Sequence, residues 1–330
     1  MTPLYARIRD ASPKTQMLFP QEQIDWCAQD GLFHRYHEGS PNDRLKIFLD
    51  LSSACLCTAF VLTQFMGALS RIATYAPNRK NLLQSLLSGE KRASVGISQL
   101  STSGRHRPPP LTATLHKKHI ALRGRAPWVT GAAHTDYILI GAHQSNQKNA
   151  LFLVSTDSLT VSPPSPLSAL NGSKTTSVLV DLSLPYSERI HEETTPSIVN
   201  VASKTSSALA LGLAGHALER LEKETQHRPL LQPALDALSQ RWEALQVALF
   251  EKTDTVELRY QVNRLALDST QTLLLATKGK GYSSTHTASR LYQEAHFFLV
   301  WSCPAPVVQR HLDACAFAAT DRSNPRNEIR

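Results

Sequence analysis

The sequence predicts an α+β protein with an N-terminal helical domain, a middle β domain and a C-terminal four-helix bundle. Apolar residues recur at helical spacing in both outer thirds of the chain, whereas the middle third has short runs rich in Val, Ile, Leu and Thr. These changes of period predict three domains, at residues 1–92, 93–195 and 196–330. With 330 residues, 42% of them hydrophobic and 19% charged, the chain can bury a sizeable core.

The first domain begins with a segment before Ser12 that has no clear apolar period, and we expect a loose terminus there. A short helix is predicted next, with Pro20 near its start and Gly31 at its end. Proline suits the first turn of a helix, and glycine suits the position just after its last turn. The following residues, HRYHEGSPND, are predicted to form a loop.

A long uncharged run, residues 51–69, follows this loop. It approaches the length of a membrane span, but it contains several polar residues and its strongest apolar residues recur at helical spacing. We therefore predict a buried helix, capped by Asn42 or Asp43 and ending near Arg71, and expect no membrane partner. A further amphipathic helix is predicted to end at Gly89.

The middle third is predicted to form a small β-barrel or sandwich, because several short strands follow one another with turn residues between them. The predicted strands lie in the segments ASVGIS, LTATLHKKHIAL, PWVTG, TDYILIGAH, ALFLVST and SVLVDLSL.

Helical spacing returns near residue 200 and continues toward the end of the chain. Four antiparallel helices with short connections are predicted, which is the pattern of a bundle. The first follows residue 200, the second is PALDALSQRWEALQVALFEK, the third spans residues 255–277, and the fourth contains Arg290 and stops before Pro304.

The fourth predicted helix carries a family signature. Residues 279–304 begin with a glycine turn, continue through RLYQEA and end in Ser302-Cys303-Pro304. This order resembles the C-terminal signature of the acyl-CoA dehydrogenase family, in which GGxGY, RLxRDA and EGT follow one another. On this alignment Ser302 occupies the position of the family's usual catalytic glutamate. The order of helices, strands and bundle over residues 19–315 is also similar to that of the family.

Two segments of the middle domain resemble the family's flavin-binding strands. Residues 124–131, GRAPWVTG, are similar to the family's GxKxWITN. The resemblance implies FAD, with the Trp128 ring against the flavin and the Thr130 hydroxyl near flavin N5. An indole supplies a flat apolar wall, and a hydroxyl tunes the ring by hydrogen bonding. Ser98 begins the segment that stands where members commonly have Thr-Glu-Pro, and residues 103–105 stand where Gly-Ser-Asp follows.

The bundle supplies the other implied cofactor contacts. The alignment puts Arg228 at the arginine that meets the FAD pyrophosphate from a neighbouring subunit, a task that suits a bidentate guanidinium. Gly279 and Gly281 occupy the glycine turn, and Leu275 stands where a glutamine commonly binds the cofactor. The resemblance therefore implies a homodimer or homotetramer built through the bundle, with FAD partly at the interface.

The missing glutamate leaves the reaction open. Acyl-CoA dehydrogenation requires a base, and a serine hydroxyl without an activating partner is not one. Some family members carry the glutamate on the first helix of the bundle, but that position is Ala202 here. Glu294 falls on the aspartate of RDA, so we assign it to helix packing or a salt bridge.

Three hypotheses about function follow. The first is an FAD-dependent oxidoreductase acting on the CH–CH group of an acyl thioester, as in fatty acid metabolism, with an acyl-CoA ligand and an electron-transfer partner. The second is a flavin-dependent monooxygenase of the same fold, because relatives that use reduced flavin and oxygen also lack the glutamate. The third is a non-catalytic homologue acting as a binding or partner subunit, which the shortened N-terminus, the altered glycine turn and the missing base favour.

Charge and cysteine usage bear on partners and location. The net charge of +8 comes from Lys and Arg spread through the chain, so we expect a solvated basic surface and no nucleic-acid partner. The five cysteines form no CxxC pair and no signal peptide precedes them, so a reducing, cytoplasmic location is expected. No metal site is predicted, because His116 and His119 have no nearby Cys or carboxylate partner in the sequence.

Overall fold

The computed structural model describes residues 2–102, 109–116, 118–144, 148–194 and 203–317. The chain divides into two compact units, Met1–Ile198 and Val199–Arg330. The first unit contains the N-terminal helices together with the strands, and the second unit is helical. The predicted α+β class, with helices before and after a central sheet, is confirmed.

The first unit begins with a series of helices separated by short connections. Their bounds are α1 Pro3–Ala11, α2 Gln21–Gln29, α3 Leu32–Glu38, α4 Pro41–Ala54, α5 Leu56–Tyr75, α6 Lys80–Ser88 and α7 Ser98–Thr102. The predicted helix between Pro20 and Gly31 is α2, and the predicted helix that ends at Gly89 is α6. Gly89 has a φ of 78° and so provides the left-handed residue that commonly ends a helix.

Two expectations about the first 43 residues were wrong. The terminus before Ser12 is not loose, because it forms α1 and buries Tyr5 and Ile8. The expected loop HRYHEGSPND is mostly helical, because its first five residues belong to α3, which buries Phe33, and its last three begin α4. In both helices a few buried apolar side chains hold a segment that is too short to be helical on its own.

The cap of α4 is Ser40, not Asn42 or Asp43 as predicted. Ser40 Oγ accepts a hydrogen bond of 3.2 Å from the Asp43 N–H, and the Asp43 carboxylate accepts one of 2.9 Å from the Ser40 N–H. Asp43 therefore takes part in a reciprocal capping box as its third helical residue.

The uncharged run forms parts of two helices, where one was predicted, because the chain is extended at Cys55 with φ −157° and ψ 109°. Among the described residues, α5 is the one helix long and apolar enough to cross a membrane by length and composition. Buried residues make up 67% of its most apolar stretch, which is also typical of the core helix of a globular unit. It packs against β1 (Ala93–Gly96) and α4.

The strands of the first unit form one mixed sheet. Besides β1, the strands are β2 Leu111–His116, β3 His119–Val129, β4 Tyr137–Gln144, β5 Lys148–Ser155, β6 Thr160–Val161, β7 Thr176–Pro185 and β8 Arg189–Thr194. The order is β6-β7-β3-β2-β4-β5-β8, and β1 also pairs with β4. β1 and β2 run parallel to β4, and the other pairs are antiparallel. Alternate apolar residues of β3, β4, β5 and β7 form the core beneath the sheet.

The second unit contains the predicted bundle and one further helix. The helices are α8 Lys204–Thr225, α9 Gln232–Phe250, α10 Thr255–Gly281, α11 Thr287–Phe297 and α12 Ala305–Phe317. The fourth predicted helix ends at Phe297, earlier than expected, and a tight turn leads to Pro304. α12 was not predicted, since the segment after Pro304 is short and only partly apolar.

Gly172 packs closely against the backbone of the segment after α1, and a substitution there tests this packing. A Cβ atom at this residue would overlap the carbonyl oxygens of Thr15 and Leu18, which belong to backbone that cannot move aside easily. We expect Gly172→Ala to lower the free energy of unfolding by about 1–3 kcal/mol, measured by urea denaturation. Gly67→Ala is the control, because its Cβ would meet only the flexible Arg71 side chain on α5. Equal stability of the two variants would contradict this account of the packing.

Candidate functional site

The end of β3 presents an aromatic ring to solvent. Trp128 is 54% exposed, whereas Val129 and Thr130, which follow it, are buried. The pairing of β3 with β7 shifts register between Ala126 and Val129, so the strand bulges at Trp128. A bulge of this kind re-aims a side chain, and bulges are enriched beside active sites. The flat indole face is therefore accessible, as the resemblance to GxKxWITN requires.

The predicted Thr130 contact has a different environment. Thr130 is only 4% exposed, and its Oγ1 lies 3.0 Å from Thr175 Oγ1, which in turn lies 2.8 Å from Ser173 Oγ. Ser94 Oγ donates a hydrogen bond of 2.7 Å to the Thr130 carbonyl. The Thr130 hydroxyl is thus held in a buried hydroxyl chain, and its predicted contact with flavin N5 stays a prediction.

Beside this chain lies an aromatic pair that sequence reasoning missed. The rings of Phe19 and His134 stack at 3.9 Å with an interplanar angle of 4°, and Phe19 also packs against the left-handed residue Gly131. Burial, together with the positive charges of Lys174 and Arg92, lowers the pKa of His134. No local signal links Phe19 to His134, because they are far apart in the sequence.

Ser98 lies at the start of the five-residue helix α7 and not on a strand. The next residue, Gln99, is buried, and its Nε2 donates to the carbonyls of Gly96 at 2.8 Å and Gly141 at 2.5 Å. These bonds fix α7 between β1 and β4 and give Ser98 a defined position. The predicted loop at residues 103–105 lies outside the described residues, so the Ser98 assignment stays a prediction.

An open groove of about 690 Å³ lies at the tip of the β2–β3 hairpin, away from these residues. It is lined by Leu115, Lys118, His119, Pro185, Tyr186 and Ser187. None of the predicted site residues lines it, and its openness to solvent suits a surface depression better than a cofactor site.

In the second unit, Ser302 lies just after the turn that ends α11. It is exposed, and its φ is 48°, in the left-handed region. The buried Ser206 on α8 donates a hydrogen bond of 3.0 Å from its Oγ to Ser302 Oγ. Two neutral hydroxyl groups therefore face each other at the position that the sequence alignment assigns to the family's carboxylate. The other family position, Ala202, lies outside the described residues.

Glu294 and Arg290 form the predicted salt bridge on α11, with 3.9 Å between Oε1 and Nη1. Both side chains are buried, and Glu294 Oε2 has no hydrogen-bond partner among the described residues. Burial raises the pKa of Glu294, and the Arg290 charge offsets only part of that effect. A carboxylate with this burial serves packing, since it has no access to a substrate.

Arg228 is held by its own chain. Its Nη1 donates to the carbonyl of Ala276 on α10, and its Nη2 contacts Glu224 Oε2 on α8 at 3.3 Å. The guanidinium thereby joins the ends of two bundle helices and is partly neutralised by Glu224. It is half-buried and retains further N–H donors, so a contact with a pyrophosphate stays a prediction.

The chain breaks at the expected glycine turn, and the break falls on Lys278, with φ 54° and ψ −151°. Two helical stretches, which together make α10, meet at this kink, and the second ends at Gly281. Gly281 is buried, and a Cβ there would overlap the Thr277 hydroxyl, whereas a Cβ at Gly279 would meet open space. Lys278 and Lys280 are both exposed on either side of Gly279.

No protein-family model matches the sequence, and no curated protein matches it. Solved structures are similar, however. For a Mycobacterium smegmatis glutaryl-CoA dehydrogenase in complex with FADH2, the TM-score is 0.78 and the identity 16%, over 98% of this chain and 95% of that chain. For the butyryl-CoA dehydrogenase from Megasphaera elsdenii, the TM-score is 0.77 and the identity 16%, over 96% of each chain. For a nitrososynthase from Micromonospora carbonacea var. africana, the TM-score is 0.75 and the identity 18%, over 96% of this chain and 97% of that chain.

These similarities agree with the order of elements and with the sequence resemblance. At identities of 16–18% they establish the fold, which is that of the acyl-CoA dehydrogenases. They extend over nearly the full length of the chain and of each matched protein, and they include a protein of this fold that is not a dehydrogenase.

We predict that the contribution of Glu294 to the stability of the folded state depends on pH. Because its pKa is raised above the ordinary 4.5, Glu294 contributes stability that is present below that pH and lost as pH rises through the folded-state pKa. The amide of a glutamine at this position would stay neutral throughout. We therefore expect the Tm of Glu294→Gln, minus that of the wild type, to increase from pH 4.5 to about pH 8.

Glu243→Gln is the matched control for this experiment, since it makes the same exchange at an exposed position of α9. A Tm difference for Glu294→Gln that is flat, or that falls as pH rises, would show that the Arg290 charge outweighs burial at this residue.

Proposed function

We propose that the protein is a flavin-dependent oxidoreductase and that its substrate is an acyl thioester such as an acyl-CoA. The observation that carries the proposal is the exposed Trp128 ring at the bulged end of β3. Trp is highly buried on average, so an indole that is 54% exposed is notable, and its flat face suits contact with a flat ring. The surrounding GRAPWVTG and the acyl-CoA dehydrogenase fold support the same ligand.

The residues of the chain fit a flavin in two respects. In the first unit, Trp128 offers a planar apolar face, and Gly131 turns the chain tightly beside it. In the second unit, the exposed Lys278 and Lys280 flank Gly279, where open space allows a phosphate to approach the backbone. When bound, a flavin supplies the hydride-accepting ring that the amino acids lack.

We further propose that the flavin is FAD. A pyrophosphate needs several cations, which Lys278, Lys280 and the remaining donors of Arg228 could supply from the bundle of a neighbouring subunit. Solved proteins of this fold include one with FADH2 and one with FMN and a nucleotide sugar. We therefore expect FAD binding to accompany assembly into a homodimer or homotetramer, and electrons to leave to a partner protein.

A second candidate is favoured by the Ser206–Ser302 pair. The alpha proton of an acyl thioester is weakly acidic, so its removal needs a base, and two neutral hydroxyls at 3.0 Å are a poor one. A flavin-dependent monooxygenase does not abstract this proton, so a neutral pair of hydroxyls is compatible with it. The similarity in fold to a nitrososynthase fits this candidate.

The experiment that separates these candidates is an absorbance spectrum of the purified protein across the near-ultraviolet and visible range. It is taken before and after anaerobic addition of acyl-CoA thioesters. A flavin band that bleaches with one thioester supports the dehydrogenase. A band that stays oxidised directs the next measurement to reduced flavin and oxygen. No flavin, even after reconstitution with FAD, would contradict both and leave a non-catalytic homologue.

Trp128→Ala tests the residue on which the proposal rests. Stacking on an aromatic ring contributes about 1–3 kcal/mol, so we expect the Kd for FAD to rise roughly tenfold or more. Helical content by circular dichroism should be unchanged, because Trp128 is largely exposed. Tyr186→Ala is the control, since it removes a 44% exposed ring elsewhere in the first unit. Equal FAD affinity in both variants would remove Trp128 from the site.

A further inference from the structure

The backbone at Ser302 is strained. A φ of 48° in a non-glycine residue brings the Cβ too close to the following carbonyl. Such conformations persist only where the surroundings impose them, and they are concentrated at functional positions. The turn before Ser302 makes its own short-range bonds, for example from the Trp301 N–H to the Phe297 carbonyl at 2.9 Å. These bonds do not extend to Ser302, so other groups must hold it.

Two buried side chains of α10 hold the turn. Arg259 is fully buried, and its Nη2 donates to the carbonyls of Trp301 at 3.1 Å and Phe298 at 3.4 Å. Asn263, one helical turn further on, donates from Nδ2 to the same Phe298 carbonyl at 3.1 Å. The two carbonyls lie at the beginning and the end of the turn, so Arg259 fixes the distance between its two ends.

Asn263 also reaches the other side of Ser302. Its Nδ2 lies 3.3 Å from His311 Nε2, on α12, the helix that begins just after Pro304. Burial lowers the pKa of His311, which keeps its ring neutral and able to accept this bond. The segment of Ser302 is therefore tied to α10 before and after it, and to α8 through Ser206.

Arg259 is an unfavourable choice of residue for a purely structural bond. Among the described residues no carboxylate lies within ion-pair distance of it, and its Nε and Nη1 have no hydrogen-bond partner there. Burial lowers the pKa of Arg259 only to about 10, so it is charged at neutral pH. An unpaired buried charge normally destabilises the folded state, which two carbonyl bonds offset only in part.

We infer that Arg259, supported by Asn263, is a positioning residue that imposes the left-handed backbone of Ser302 and so directs its Oγ toward Ser206. Both bonds come from Nη2, the outer nitrogen of a rigid planar guanidinium, whereas a lysine carries its ammonium on a shorter and more flexible stem. The inference rests on the proposed function where it concerns catalysis, because only a flavin-linked reaction gives Ser302 a role.

The first test is hydrogen–deuterium exchange of the full-length protein, followed by mass spectrometry of the peptide that covers residues 298–304. Arg259→Lys keeps the charge but shortens the side chain by one bond and removes Nη2, and we expect amide exchange in this peptide to accelerate by about tenfold or more. Arg264→Lys is the matched control, because it makes the same exchange on α10 at a residue that bonds Asp268. Equal exchange in the two variants would overturn the inference.

The second test is rescue. Glycine adopts a φ of 48° without strain, so Ser302→Gly added to Arg259→Lys is expected to restore slow exchange of residues 298–304. This double variant also covers the case in which Arg259→Lys alone unfolds, since relief of the strain should then restore folding. A double variant no better than Arg259→Lys would show that Arg259 acts through general packing.

The third test measures the effect on catalysis, with FAD as the cofactor and butyryl-CoA as the probe. We expect Arg259→Lys to keep the flavin absorbance of the wild type while its anaerobic reduction by butyryl-CoA slows on the order of a hundredfold, as misplacement of a reacting group does. Unchanged reduction would overturn the catalytic part. If the wild type binds no flavin, the proposed function fails, and the exchange and rescue measurements still decide whether Arg259 positions Ser302.

Discussion

A carbonyl that leaves regular structure in a protein interior needs a hydrogen-bond donor, and this requirement determines the irregular segments of this molecule. At four irregular segments a side chain supplies the donor. Arg259 bonds the carbonyls of the turn after α11, and Arg228 bonds the Ala276 carbonyl just before the kink at Lys278. In the first unit, Ser94 bonds the Thr130 carbonyl, and Gln99, near the start of α7, bonds the carbonyls of Gly96 and Gly141. All four segments lie close in sequence to residues of the predicted site.

This dependence explains how much of the fold could be predicted. The strands and the long bundle helices follow from the spacing of apolar residues, which acts locally. The helix α1 and the break at Cys55 could not be predicted that way, because tertiary burial decides both. The exact place of the kink near the predicted glycine turn could not be predicted either, because it falls on Lys278, whose side chain gives no sign of a positive φ.

For the candidate site, too, the sequence predicts some features and not others. Sequence motifs proposed Trp128 and Ser302 as site residues, because each belongs to a short pattern that can be aligned. They gave no information about partners distant in the sequence. Thr175 holds the Thr130 hydroxyl across 45 positions, and Ser206 meets Ser302 across 96. Motifs identify a position, whereas the environment that sets its chemistry comes from residues that no motif contains.

The environment of Ser302 limits the reactions that this end of the bundle can support. Burial raises the pKa of the Cys303 thiol, so it stays protonated at neutral pH, and His311 is neutral but already accepts from Asn263. Arg259 is the charged group bonded to the turn, and it is a cation. The described groups therefore offer hydrogen bonds and a positive potential, but no free base. A reaction here would proceed by stabilising negative charge on a bound molecule, with the proton taken by another group or by the substrate itself.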